Sequence, residues 1–139
     1  MLLTPKKWKY RKQFRGRVKG KAKGNTYVAF GDYGIKAIQN GYLTSRQIEA
    51  ARKVLVRYNR KVGKIWIRVF PDIPYTKLWL EMPMGKGKGW VDHFVARVKR
   101  GAIIFEISWV SKETAKEAIR QASYKLPLKT RMVSRHEIN

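Results

Sequence analysis

Apolar positions along the chain change period several times, and each change marks an element. Thr26–Phe30 is a short strand-like run closed by Gly31-Asp32, and Tyr33–Ile38 reads as a second. Thr44 with Gln47 three residues on forms a capping-box pattern that opens a helix. Ile48, Ala51, Leu55, Tyr58 and Val62 then recur at helical spacing, with Gly63 as the stop. Ile65, Ile67 and Val69 alternate with Trp66, Arg68 and Phe70, which is the period of a strand. Pro71 and Pro74 mark a turn, Lys77–Leu80 is a candidate strand, and Glu81–Gly89 is a loop.

The second half repeats the logic. Val91–Val98 and Ala102–Ile107 read as two strands joined at Lys99-Arg100-Gly101, a hairpin. Ser111 caps a second helix with Glu113 in its first turn, where the helix dipole favours an acid. Ala115, Ala118, Ile119, Ala122 and Leu126 form its apolar stripe, and Pro127 stops it by lacking a backbone donor. Leu128–Val133 is a last strand. These elements predict an α+β fold: a two-layer sandwich in which an antiparallel or mixed sheet carries two amphipathic helices. No internal repeat is visible. The predicted organisation is a basic arm over residues 1–24 and one domain over 25–139, with a loop at 81–90.

Charge changes this picture from a generic small domain to a polyanion binder. The 139 residues hold 32 Lys and Arg against 9 Asp and Glu, a formal net charge of +23. Ten of those cations and no acid lie in the first 31 residues, where they repel one another unless a polyanion neutralises them. Arg15 to Gly24 alternates charge with glycine and has too little apolar material to fold alone. We read it as an arm that orders on a partner; a solvated tail or a transit peptide are the competing readings, the latter disfavoured because the stretch is neither amphipathic nor serine-rich.

The candidate RNA-binding residues in the arm are Lys6, Lys7, Trp8, Lys9, Tyr10, Arg11, Lys12, Arg15, Arg17, Lys19, Lys21 and Lys23. Cations take phosphates while rings such as Trp8, Tyr10 and Phe14 stack on unpaired bases. The glycines deny the arm the continuous apolar face that a membrane-surface helix needs. On the first helix, Arg46, Arg52, Lys53, Arg57 and Arg60, with Lys61, oppose a lone Glu49 and add a second basic surface.

Several chemistries are excluded. No cysteine is present, so disulfides, thiol catalysis and Cys-containing zinc sites are ruled out. The longest apolar runs have four residues, far from the roughly 20 that span a bilayer, and Met1-Leu2-Leu3 leads straight into Thr4-Pro5-Lys6-Lys7 with no signal-like apolar stretch. Gly85-Lys86-Gly87-Lys88-Gly89 is neither a Walker loop nor a dinucleotide fingerprint, because the spacing and the following helix are wrong. What it offers is two cations and three glycines that let backbone approach a ligand. Asp92 and His93 are adjacent in a strand and are expected to point to opposite faces, which denies them a mutual proton relay. Catalytic residues, cofactors and metal ligands are therefore predicted to be none.

The ordered text Gly41-Tyr42-Leu43-Thr44-Ser45-Arg46-Gln47-Ile48-Glu49-Ala50-Ala51-Arg52 resembles a signature of the bacterial-type large-subunit ribosomal protein family numbered sixteen. Gly63-Lys64-Ile65-Trp66-Ile67-Arg68-Val69-Phe70-Pro71-Asp72, Met84 to Gly89, and Lys125-Leu126-Pro127-Leu128-Lys129-Thr130 follow in the same register. The resemblance runs from Pro5 to about Val133. It implies a scaffold protein bound to large-subunit rRNA beside the aminoacyl-tRNA site, with neighbouring ribosomal proteins as partners, no membrane and no homo-oligomer. The arm from Lys6 to Lys23 would thread between rRNA helices.

The same resemblance implies that Met82, Pro83, Met84, Gly85, Lys86, Gly87, Lys88 and Gly89 reach toward A-site and P-site tRNA. It also implies a cytoplasmic, ribosome-bound location, an organellar ribosome of bacterial type being the alternative. Many members have arginine before the Met-Gly-Lys-Gly-Lys-Gly stretch, hydroxylated in some bacteria; Pro83 stands there instead, which removes that modification and implies a stiffer loop. Trp90 and Trp109 stand where smaller or polar residues are expected. The alternatives are a non-resident RNA-binding or assembly factor and an RNA-processing enzyme using Asp92, His93 or His136.

Overall fold

The computed structural model describes residues 3–10, 12–13, 16–59, 63–77 and 90–135. Within them run β1 (Tyr33–Ala37), β2 (Gly41–Thr44), α1 (Ser45–Asn59), β3 (Lys64–Ile67), β4 (Ile73–Lys77), β5 (Trp90–Val98), β6 (Ile103–Ser108), α2 (Lys112–Ser123) and β7 (Thr130–Ser134). The strands form two antiparallel sheets rather than one, a four-stranded sheet ordered β3-β6-β1-β7 and a three-stranded sheet ordered β2-β5-β4. The expected α+β sandwich with two helices is what the chain adopts.

Both helices start as their local chemistry dictates. The Thr44 N–H donates to Gln47 Oε1 at 3.0 Å and the Gln47 N–H to Thr44 Oγ1 at 3.1 Å, a reciprocal capping box. Ser111 Oγ accepts from the Thr114 N–H at the head of α2. The buried faces, Ile48, Ala51, Val54 and Leu55 on α1 and Ala115, Ala118, Ile119 and Ala122 on α2, meet Ile35, Leu43, Ala96, Val98, Phe105 and Ile107 from the sheets in one core. The α2 alanines leave room for α1 to pack against it.

Three segments differ from the sequence reading. Thr26–Phe30 is not a strand; it crosses the outer face of the four-stranded sheet, where Val28 packs with Ile103 and Val133 in a small second cluster. Gly41–Thr44, read only as the approach to a helix, is β2 and pairs with Val95–Val98. Ile73–Lys77 is β4, where Pro71 and Pro74 predict a turn; Pro74 is tolerated in the strand because β4 lies at a sheet edge. Boundaries also move: β3 ends at Ile67 rather than running on to Phe70, α2 ends at Ser123, with Leu126 buried beyond it, and β7 begins at Thr130. Of the expected strand Lys77–Leu80, Lys77 is the last residue of β4 and 78–80 lie outside the described residues.

A buried carboxylate ties the outer segment down. Glu106, fully buried in β6, accepts the Phe30 N–H at 2.8 Å and the Gly31 N–H at 3.0 Å on Oε1, while Arg68 donates to Oε2. Burial pushes its carboxyl up, but the Gly31, Arg68 and Phe30 donors together outweigh that and hold it below the ordinary range. Gly31 is required at this crossing, since a Cβ there would lie 2.6 Å from the Ile107 carbonyl oxygen.

Candidate RNA interface

Two basic surfaces emerge from this frame. The first is built by the arm lying back against the turn between β5 and β6, two strands expected as a hairpin that in fact belong to different sheets and do not pair. The Ala22 N–H donates to the Arg100 carbonyl at 3.0 Å beside a parallel bridge between Lys21 and Arg100. The Tyr42 hydroxyl donates to the Gly16 carbonyl. Asn25, at φ +56°, donates through Nδ2 to the Ile103 carbonyl at 2.9 Å and the Arg68 carbonyl at 3.3 Å. The Ile103 N–H returns a bond to the Asn25 carbonyl at 2.8 Å. These bonds hold residues 16–25 in register on the body.

Between this stretch and the β5–β6 turn runs an open cleft of about 770 Å³, lined among the described residues by Arg17, Lys19, Lys23, Arg68, Arg97 and Lys99 against a single acid, Asp72. A smaller cleft of about 560 Å³ joins Arg17 and Lys19 to Arg100. Cationic walls on a low-dielectric body concentrate positive potential in such a groove, which suits a phosphate backbone. Sequence reading missed Arg97, Lys99 and Arg100. The Lys99-Arg100 doublet at the β5–β6 turn was a signal, but nothing local showed that residue 22 would lie beside residue 100.

Toward the N-terminus, Lys6, Lys7, Lys9, Lys12, Lys21 and Tyr10 are exposed, and Lys9 Nζ lies 5.4 Å from the Tyr10 ring centroid. Trp8 differs: its ring meets Phe94 of β5 edge-on at 5.0 Å, so the protein itself occupies part of its surface. Arg11, Arg15 and Phe14 lie outside the described residues.

The second surface is the outer stripe of α1. At 100° per residue, Arg46, Lys53 and Arg57 fall within about 40° of one another, opposite Leu55 and Ile48, and all three are exposed. Arg52 stands off this stripe. It is half-buried and donates Nε to Glu49 Oε2 at 2.9 Å, with a second bond to Oε1. That bond holds the buried Glu49 carboxyl at about 2 against the opposing effect of burial. Arg52 thus neutralises the helix's lone acid, leaving the stripe uniformly cationic. Arg60 and Lys61 lie outside the described residues, as do Met82, Pro83, Met84, Gly85, Lys86, Gly87, Lys88 and Gly89.

One sequence expectation is corrected. Asp92 and His93 do touch, with Nδ1 2.7 Å from the carboxylate. The cause is a bulge: Tyr75 pairs with His93 but Thr76 with Val91, so Asp92 is the extra residue and its side chain turns toward its neighbour. The pair is partly exposed, and Tyr75 stacks on the imidazole at 4.8 Å. Among the described residues no group of three His, Cys, Asp or Glu converges in a way that could hold a metal, and no helix is long and apolar enough to cross a membrane.

Comparison with known proteins follows the same lines. The sequence profile described as "Ribosomal protein L16p/L10e" matches residues 5–133. A curated relative, the large ribosomal subunit protein uL16 of Thermosipho melanesiensis, is 56% identical over 137 residues, covering 99% of this chain and 96% of its own length.

Proposed function

The chain belongs to the ribosomal protein L16p/L10e family, and from that premise we propose that its two basic surfaces grip large-subunit rRNA from different elements of one body. It is a structural constituent of the large ribosomal subunit and not an enzyme; its partners are rRNA and other ribosomal proteins. The relative is bacterial, and the bacterial type of ribosome follows from it. A cytoplasmic location belongs to the proposal.

The observation that carries the proposal is the cleft in which Arg17, Lys19 and Lys23 face Arg97 and Lys99. Hydrogen bonds at Gly16, Ala22 and Asn25 hold the arm there, so part of its ordering is complete before RNA arrives and need not be repeated on binding. Phosphates entering the cleft would be neutralised from two sides, while Arg46, Lys53 and Arg57 take a separate backbone segment. Residues 82–89 carry the finer part of the proposal, contact with A-site and P-site tRNA, supported by the two cations Lys86 and Lys88 and three glycines.

The test is the salt dependence of rRNA binding. Each phosphate contact contributes about −0.7 to the slope of log K against log salt on single strands, and about −0.9 on duplex. Replacing Lys19, Lys21 and Lys23 by Gln flattens the slope by about 2, as does replacing Arg46, Lys53 and Arg57. Lys86→Gln with Lys88→Gln leaves incorporation into the subunit intact and weakens tRNA binding. Unchanged slopes in both triple variants overturn the rRNA reading; unaltered tRNA affinity removes the loop's role. Crosslinking in cells to many unrelated RNAs would favour a non-resident factor.

A further inference from the structure

The outer face of β3 carries a group of residues of which only Arg68 also lines the basic cleft. β3 is an edge strand, and Lys64, Trp66 and Arg68 occupy alternate positions along it and just beyond it, so they share one face. Phe30 stacks on Trp66 with centroids 6.2 Å apart and planes 22° off parallel. The Arg68 guanidinium lies 4.9 Å from the Phe30 centroid, and Lys64 Nζ lies 5.5 Å from the Trp109 ring. Cations and rings thus alternate from Trp109 to Phe30. Those two terminal rings are 65% and 56% exposed.

Trp109 is costly where it stands. Its φ of +61° is left-handed backbone, a region that bulky side chains rarely adopt. Its N–H is held by the Asp32 carboxylate at 3.2 Å. Nothing of the ring's burial compensates, since the indole faces solvent. A strained backbone that presents an exposed aromatic beside a lysine is an outlier from which function is a proper inference.

We propose that Trp109 and Phe30 are stacking platforms for unpaired RNA bases, with Lys64 taking the adjoining phosphate. The inference rests on the RNA-binding reading but assigns residues that reading does not employ. Charge decides the occupant. Of the two carboxylates at this face, Glu106 is buried and matched by Arg68 and Asp32 is exposed but engaged by the Trp109 N–H, while Lys is depleted from protein–protein interface cores. A ring flanked by a cation suits a nucleotide, whose base takes the π-face and whose phosphate takes the charge.

Trp109→Gly is the diagnostic substitution, because glycine relaxes the left-handed backbone while deleting the ring. The assay is binding of the full chain to a single-stranded oligoadenylate of about 12 nucleotides and to a duplex of equal length. Loss of one base–aromatic stack weakens single-strand binding about tenfold. It leaves duplex binding and the salt slope unchanged, and the melting temperature holds or rises. Phe30→Leu acts in the same direction, and Lys64→Gln instead flattens the slope by about 0.7. Single-strand affinity unchanged by Trp109→Gly, or duplex binding falling equally, overturns the proposal. If the arm and α1 variants are also silent, the RNA-binding reading itself has failed. In assembled subunits, ultraviolet crosslinking should join the Trp109 peptide to rRNA; a crosslink to a neighbouring protein overturns it.

Discussion

Glu106→Gln tests whether the outer segment is held by charge or merely by shape. The carboxylate is fully buried and serves three donors: Phe30 N–H, Gly31 N–H and the Arg68 guanidinium. Glutamine keeps an acceptor for the two amides but presents a neutral amide to Arg68. Removing one partner of a buried ion pair costs about 3–5 kcal/mol. Because Arg68 is 19% exposed and recovers some hydration, the lower end, about 3 kcal/mol, is the expected loss. With an unfolding entropy of about 2.1 cal/mol/K per residue, a chain of this size then melts about 10 °C lower. Acid unfolding should separate the two variants as well. The native carboxyl sits below its unfolded value, so its contribution is complete above about pH 4.3 and is lost as pH falls through the folded pKa. The variant lacks that part of the acid transition, and the stability difference between the two proteins shrinks with acidification. Circular dichroism melts from pH 7 downward measure both effects, with Glu117→Gln as control, since Glu117 is a partly exposed partner of Arg120 and its loss should leave the melt in place. A Glu106→Gln melt indistinguishable from the parent at pH 7 would refute the argument.

Two further substitutions probe the same frame. Gly31→Ala puts a Cβ 2.6 Å from the Ile107 carbonyl, which also accepts the Asp32 N–H at 2.8 Å. It should cost about 1–3 kcal/mol and be sub-additive with Glu106→Gln in denaturant melts, because both act on one network. Thr44→Ala dissolves the capping box of α1 and should cost about 1 kcal/mol, with Thr44→Ser restoring most of it; equal midpoints for all three proteins would show the cap contributes nothing.

Local chemistry was readable and long-range chemistry was not. Both helix starts, the turn at Gly101 and the apolar faces of α1 and α2 depend on residues a few positions apart, and each lies where its pattern places it; the hairpin expected across that turn does not form, because β5 and β6 pair with other strands in different sheets. Gly41–Thr44 was too short to show a period. Pro74 disguised β4 because only the sheet order reveals that β4 is an edge. Val28 suggested a strand, yet its apolar contact is with the outside of a sheet rather than with a ladder partner. Of the candidate interface, the cations were visible as composition and the α1 stripe as periodicity. The cleft needed the pairing of Lys21 with Arg100, and the Trp109 corner needed a backbone angle.

The arm's bonds also set an order of events. Asn25 closes on Ile103 across 78 positions of chain, and Phe30 and Gly31 wait for Glu106. At about 5–20 residues per second, several seconds of synthesis separate the two halves of each contact. Throughout that interval the ten cations of the first 31 residues have left the ribosome that made them without the surface that will hold them. The nascent arm is therefore a free polycation first and a docked segment second. Any RNA that captures it early competes directly with the closing of the fold.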